Sequence, residues 1–217
     1  MTPTQMPAAT EPHFVHRAQQ DLAGTLGVWI FLATEVLFFG PLFFGYLYVR
    51  VHYPEAAAAA SRHTDLVLGT VNTALLLTSS LCVALAGVRA EAERAAGWLL
   101  GIAIALGLAF LALKGVEYHK EFGEHLFPDR SFAPADGGAP AHRHAMQLFF
   151  ILYFAMTALH ALHMLAGIAL LAWAGLALRA NKARAQHVEL VGLYWHFVDA
   201  VWIFLYPLLY LVGRSGG

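Results

Sequence analysis

Apolar positions along the chain fall into five long blocks separated by polar stretches. The blocks run from Leu22 to Val49, Leu66 to Val88, Ala95 to Val116, Ala145 to Leu178 and Leu190 to Val212. A helix needs roughly 20 apolar residues to cross a ~30 Å hydrocarbon core, and each block meets that length. The pattern therefore predicts an all-α fold, an integral membrane bundle of five transmembrane helices. It reads as one domain over residues 22–214, preceded by a polar tail at residues 1–21. The fourth block is too long for a straight crossing, so tilt or protrusion into water is expected. The connections are short except Glu117 to His144, which is rich in proline and glycine and reads as an exposed loop. The run of five alanines at 56–60 is a local bias, and no repeat of fixed period is visible.

Composition agrees with a bilayer. The 217 residues are 59% hydrophobic and 12% charged, against about 25% charged in soluble domains. The net charge of −1 gives no reason to expect a nucleic-acid partner. The single cysteine, Cys82, excludes an internal disulfide and any multi-thiolate metal site. The N-terminal stretch lacks the apolar core of a signal peptide, so the first block is expected to act as an uncleaved insertion signal. Basic residues are equal in number on the two sides of the predicted bundle. Arg89 and Arg94, with Arg179, Lys182 and Arg184, crowd two very short loops on the N-terminal side. That density places the N-terminus in the cytoplasm and the C-terminus in the periplasm.

Candidate chemistry lies in the ionisable groups within the blocks, each of which costs about 2.5–3.5 kcal/mol on insertion scales and so needs a partner or a purpose. Glu35 stands mid-block in WIFLATEVLFFG, with no cation near it in sequence. It is either protonated or paired across helices, as a proton-handling or lipid-facing acid or as a carboxyl locking the bundle. His160 and His163 are three residues apart and share a helix face, and Glu117 at the end of the third block is placed to approach them. A di-iron bundle needs Glu-x-x-His units on two helices, and none occurs in these blocks. Interhelical hydrogen bonding or headgroup contact is the reading these histidines support. His196 and Asp199 are also three apart, where an aspartate can orient an imidazole. The aromatics around them, Tyr194, Trp195, Trp202, Tyr206 and Tyr210, suggest an interfacial belt, Tyr210 most of all. Lys114 and Glu117 read as a local pair with a snorkelling lysine. Gly97, Gly101, Ala105 and Ala109, spaced by four, read as a ridge for close helix approach.

Several stretches carry a family resemblance, in order along the chain. LYWHFVDAVWIFLYP at 193–207 resembles the last helix of cytochrome c oxidase subunit III. TEVLFFG at 34–40 resembles that family's glutamate-bearing helix, and VNTALLL at 71–77 the start of the next. GVEYHKE at 115–121 and FAMTALHALHMLAG at 154–167 resemble its following segments. The match spans roughly Leu22 to Arg214, and a long ordered string is more specific than any one motif. It begins at what would be the third helix of the larger seven-helix members, like the five-helix forms of quinol-oxidising relatives.

The resemblance implies a non-catalytic subunit of a proton-pumping haem–copper terminal oxidase in a bacterial cytoplasmic membrane. Such a chain binds no haem or copper itself. It packs against subunit I, alongside subunit II and small subunits, holds structural phospholipid, and supports oxygen access and proton uptake. Carried over, Glu35, Glu117, His160, His163, His196 and Asp199 are the polar residues of the interior and lipid cleft. A two-haem, one-copper centre needs about six histidine ligands, whereas only His160, His163 and His196 lie deep in the blocks. Rival readings are an accessory protein of a nitric oxide reductase, a self-contained haem or metal enzyme using those three histidines, and a small proton-coupled transporter. The transporter would show broken helices at mid-membrane.

Overall fold

The computed structural model describes residues 17–89, 93–128, 132, 140–180, 185–212 and 214. In order they form α1 (Arg17–His52), α2 (Pro54–His63), α3 (Leu66–Val88), α4 (Glu93–Gly123), α5 (Pro140–Arg179), α6 (Ala185–Tyr206) and a π-helical turn (Pro207–Leu211). There is no strand among the described residues. Five helices are long and apolar enough to cross a membrane, spanning Gln19–His52, Leu66–Val88, Ala96–Gly123, His142–Arg179 and Gln186–Leu211. The polar tail at 1–16 lies outside the described residues, and residues 17–21 are already helical.

The polar connections differ from their sequence reading for local reasons. The alanine run belongs to α2, with Pro54 at its first turn and Ala56, Ala57, Ala60 and Ser61 buried. α2 packs on α5, which gives the excess length of that 40-residue helix a partner. The loop expected from Glu117 begins only after Gly123. His125 adopts a left-handed conformation (φ 57°), and the Leu126 N–H donates to the Glu121 carbonyl at 3.0 Å. This is a Schellman-type stop, and the residue that follows the left-handed one, Leu126, is buried as that motif favours. Phe132 is buried as well, while residues 129–131 and 133–139 of the expected loop lie outside the described set. α1 runs unbroken through Pro41.

Packing follows a ring: α3 on α4, α4 on α5, α5 on α6 and α6 back on α3. α1 stands outside it, touching α5 and α6. The close approaches sit at glycines that face the α6 aromatics. A Cβ on Gly107 of α4 would lie 2.9 Å from Trp195 Cη2, and one on Gly167 of α5 would lie 2.8 Å from Trp195 Cε3. The indole thus fills the space between α4 and α5 that two missing methyls leave. Lipid outside is as apolar as leucine, so such close packing replaces the hydrophobic drive of a soluble bundle. The four-spaced ridge on α4 is only partly inward: Gly97 is buried, but Gly101 and Ala105 are exposed. Trp195, Trp202 and Tyr210 are fully buried rather than belt residues, because α6 is the most enclosed span. At its end Pro207 has no N–H to donate, the helix widens into the π turn, and Tyr46 Oη donates to the Leu208 carbonyl.

Asp65 caps α3. Its Oδ1 accepts from the N–H groups of Val67 and Leu68, both at 3.1 Å, and its Oδ2 pairs with Lys120 Nζ at 3.1 Å. Burial pushes the carboxyl up, but the Leu68 N–H, Lys120 and the Val67 N–H together hold it below the usual carboxylate range. A depressed acid stabilises the fold above its unfolded pKa, and that stability is lost as pH falls through the folded value. Asp65→Ala is therefore expected to cost about 1 kcal/mol at neutral pH, with the difference from wild type shrinking in acid; thermal unfolding in detergent across pH checks this. Gly167→Ala is expected to cost about 1–3 kcal/mol by overpacking against Trp195, whereas Gly101→Ala, which meets nothing within 4 Å, should leave the same thermal midpoint unchanged or raised.

Candidate functional site

Glu35 finds its partner across helices. Its Oε2 lies 2.9 Å from His163 Nε2, linking α1 to α5, with both side chains 15% exposed. The other ring nitrogen, Nδ1, is 2.8 Å from the Leu159 carbonyl, an acceptor only, so Nδ1 carries a proton. The Glu35–His163 bond therefore holds one further proton, either as a carboxylic acid on neutral imidazole or as a carboxylate on imidazolium. Phe39 packs on the imidazole at 5.3 Å between ring centroids.

His160 does not share that partner. It is buried between Trp202 and Phe110, at 5.1 and 5.4 Å, and among the described residues neither ring nitrogen has a hydrogen-bond partner. His196 Nδ1 pairs with Ser80 Oγ of α3 at 2.6 Å, so serine, rather than Asp199, orients this imidazole. Asp199 is buried, and among the described residues neither of its carboxyl oxygens has a hydrogen-bond partner. Ser80 was not evident beforehand, because nothing in the sequence of α3 marks which of its hydroxyls faces α6.

Glu117 makes its hydrogen bonds not to the histidines but within a separate cluster. Lys114 Nζ donates to Glu117 Oε2 at 2.9 Å, to Tyr153 Oη at 2.7 Å and to Tyr210 Oη at 2.7 Å. All three ammonium protons are engaged, and the lysine is 3% exposed, so it does not snorkel. The rings of Tyr153, Tyr118, Tyr210 and Trp202 surround it at 4.6 to 5.7 Å. Tyr210 Oη donates to Glu117 Oε1 at 2.7 Å, and Tyr153 Oη reaches Glu121 Oε1 at 2.5 Å. Sequence reading missed Glu121 and Tyr153 as members of this cluster and took Tyr210 for a belt residue. The signal that could have found one of them is the spacing 114, 117, 121, which puts all three ionisable groups on one helix face. Beside the cluster opens a cavity of about 350 Å³ lined by His63, Asp65, Glu117, Lys120, Glu121 and Glu124.

Two further features frame the site. An apolar groove of about 360 Å³ runs between α1 and α6, lined by Val36, Phe39, Gly40, Phe43, Phe197, Ala200, Val201 and Phe204. No group of three or more His, Cys, Asp or Glu arranged to hold a metal ion occurs among the described residues.

Comparison with known proteins agrees with this architecture. The family model described as cytochrome c oxidase subunit III matches residues 9–214. The chain is 31% identical over 200 residues to a cytochrome c oxidase subunit 3 of Alkalihalophilus pseudofirmus, covering 88% of this chain and 87% of that one. It is 30% identical over 206 residues to a cytochrome bo(3) ubiquinol oxidase subunit 3 of Pseudomonas aeruginosa, covering 91% and 90%. A cytochrome c oxidase subunit 3 of Bacillus sp. (strain PS3) is 27% identical over 226 residues, covering 100% and 97%. With five membrane-crossing helices and a match over nearly its whole length, the chain belongs to the cytochrome c oxidase subunit III family, the third subunits of haem–copper oxidases.

Proposed function

We propose that this chain is the non-catalytic subunit of a proton-pumping terminal oxidase, packing on subunit I, holding phospholipid and supporting proton uptake and oxygen access. The haem and copper of that complex belong to the partner subunit. The observation that carries the lipid role is the wholly apolar groove between α1 and α6, with Phe39 forming both its wall and a contact to the His163 imidazole. An acyl chain fits such a groove, which opens where α1 leans on α6 from outside the four-helix ring. Oxygen, being apolar, partitions into the same space. The proton held between Glu35 and His163 borders it and supports the proton-related role of those residues. Glu117, His160, His196 and Asp199 serve in this reading as the remaining polar interior. The chain sits in a bacterial cytoplasmic membrane, with its N-terminus cytoplasmic and the α2 end periplasmic.

Two outcomes test the reading. A pull-down of the chain in mild detergent should bring haem in proportion to a large multi-helix partner, and the colour should leave when that partner is stripped away. A chain that comes out alone and coloured would mean that its own histidines are ligands. Glu35→Gln should leave assembly and initial oxygen consumption largely intact while shortening activity under sustained turnover or lowering co-purified phospholipid. Even complete loss of the interhelical bond costs about 0.6 kcal/mol, too little to dismantle the bundle. Immediate, complete loss of activity in a normally assembled Glu35→Gln complex would overturn the accessory role.

A further inference from the structure

We infer that Glu121 is a proton-binding site, a carboxyl that stays neutral at ordinary pH and exchanges its proton with the water-accessible cavity at the α2 end of the bundle. This does not rest on the oxidase reading; it follows from the cluster itself. Three ionisable groups, Lys114, Glu117 and Glu121, lie on one face of α4 with exposures of 3%, 1% and 4%. One ammonium balances one carboxylate. The hydrogen bonds show which: Glu117 receives a Lys114 proton on Oε2 and the Tyr210 hydroxyl on Oε1, so both its oxygens are served as an anion's would be. Among the described residues, Glu121 receives the Tyr153 hydroxyl on Oε1, and its buried Oε2 has no hydrogen-bond partner. A second buried carboxylate without its own cation carries a desolvation penalty that nothing here offsets.

Among the described residues, the neighbours of Glu121 supply no alternative cation. On α4 itself, Lys114 has no proton left to donate, Tyr118 bonds to Thr157, Lys120 pairs with Asp65, and Glu124 is a second acid. From α5 the facing group is Tyr153, and from the C-terminal turn Tyr210, both neutral hydroxyls engaged within the cluster. From the end of α2, His63 lines the cavity, and no hydrogen bond from it reaches Glu121 Oε2. A proton on Glu121 Oε2 makes the cluster neutral. The cavity of about 350 Å³ that Glu121 lines has room for the water that delivers or removes it. The reaction is one proton bound or released, changing the cluster from neutral to singly negative as pH rises.

The test uses the full chain, purified with the subunits that accompany it, at neutral pH. The infrared difference between wild type and Glu121→Gln should contain the carbonyl band of one protonated carboxylic acid, and that band should move down in D₂O. A difference containing only carboxylate bands would overturn the assignment. Glutamine has the shape of neutral glutamic acid, so Glu121→Gln should keep the wild-type thermal midpoint, whereas Glu117→Gln, which strips Lys114 of its anion, should lower it. Equal destabilisation by the two variants would also overturn it. Should Glu121→Gln fail to accumulate, Glu121→Asp retains a carboxyl: a shifted acid carbonyl band supports the proposal, and shifted carboxylate bands alone sink it.

Discussion

The ammonium of Lys114 lies inside a bundle whose outer surface is hydrocarbon, and its three protons are all held by the protein. Removing a charge from water costs several kcal/mol unless geometry and hydrogen bonds return most of it. Here the return comes from three places in the chain: Glu117 on α4, Tyr153 on α5 and Tyr210 in the C-terminal turn. That requirement brings α4, α5 and the end of α6 together at one height. The π turn after Pro207 is part of the same arrangement, because it carries Tyr210 and is held from outside by Tyr46 of α1.

The middle of the bundle is held by close approach rather than charge. Trp195 occupies the gap opposite Gly107 and Gly167 and still satisfies its indole N–H on Ser79 at 3.1 Å. Trp202 does the same with Thr73 at 3.1 Å. Large aromatic bodies with one polar tip suit this position, since the body packs and the tip finds a hydroxyl on α3. Further hydroxyls on α3, Thr70 and Thr78, bond back to their own helix, which lets a polar-looking segment cross an apolar slab.

α1 stands apart from this economy of contacts. It meets the ring through α5 and α6, with polar links at Glu35 and His163, at Tyr46 and the Leu208 carbonyl, and at the Asp21 carbonyl and Gln186, and with an apolar groove beside it. A groove that opens at such a seam, lined only by apolar side chains, suits an apolar occupant. The charged cluster at the α2 end has the opposite character, a fixed network in which one carboxyl alone lacks a second partner.

The five crossings were legible in the sequence because a bilayer demands about 20 apolar residues in a row, and no packing detail alters that demand. The family was legible too, since the ordered strings around Glu35, His160, His163 and His196 do not depend on where side chains point. Partnerships were not legible. Glu35 had no cation near it in sequence, and its partner lies 128 residues away on another helix. Lys114 and Glu117, adjacent on one turn, looked self-sufficient, yet the tyrosines that make their burial tolerable come from α5 and the C-terminal turn. The α4 ridge looked complete at a spacing of four, but the helix's rotation in the ring turned Gly101 outward and Gly107 inward. Hydrophobic length is a property of a segment taken alone, so the chain by itself determined it. Which polar groups meet, and which of them is left over, depends on the relative rotation and height of helices, and only the tertiary structure decided that.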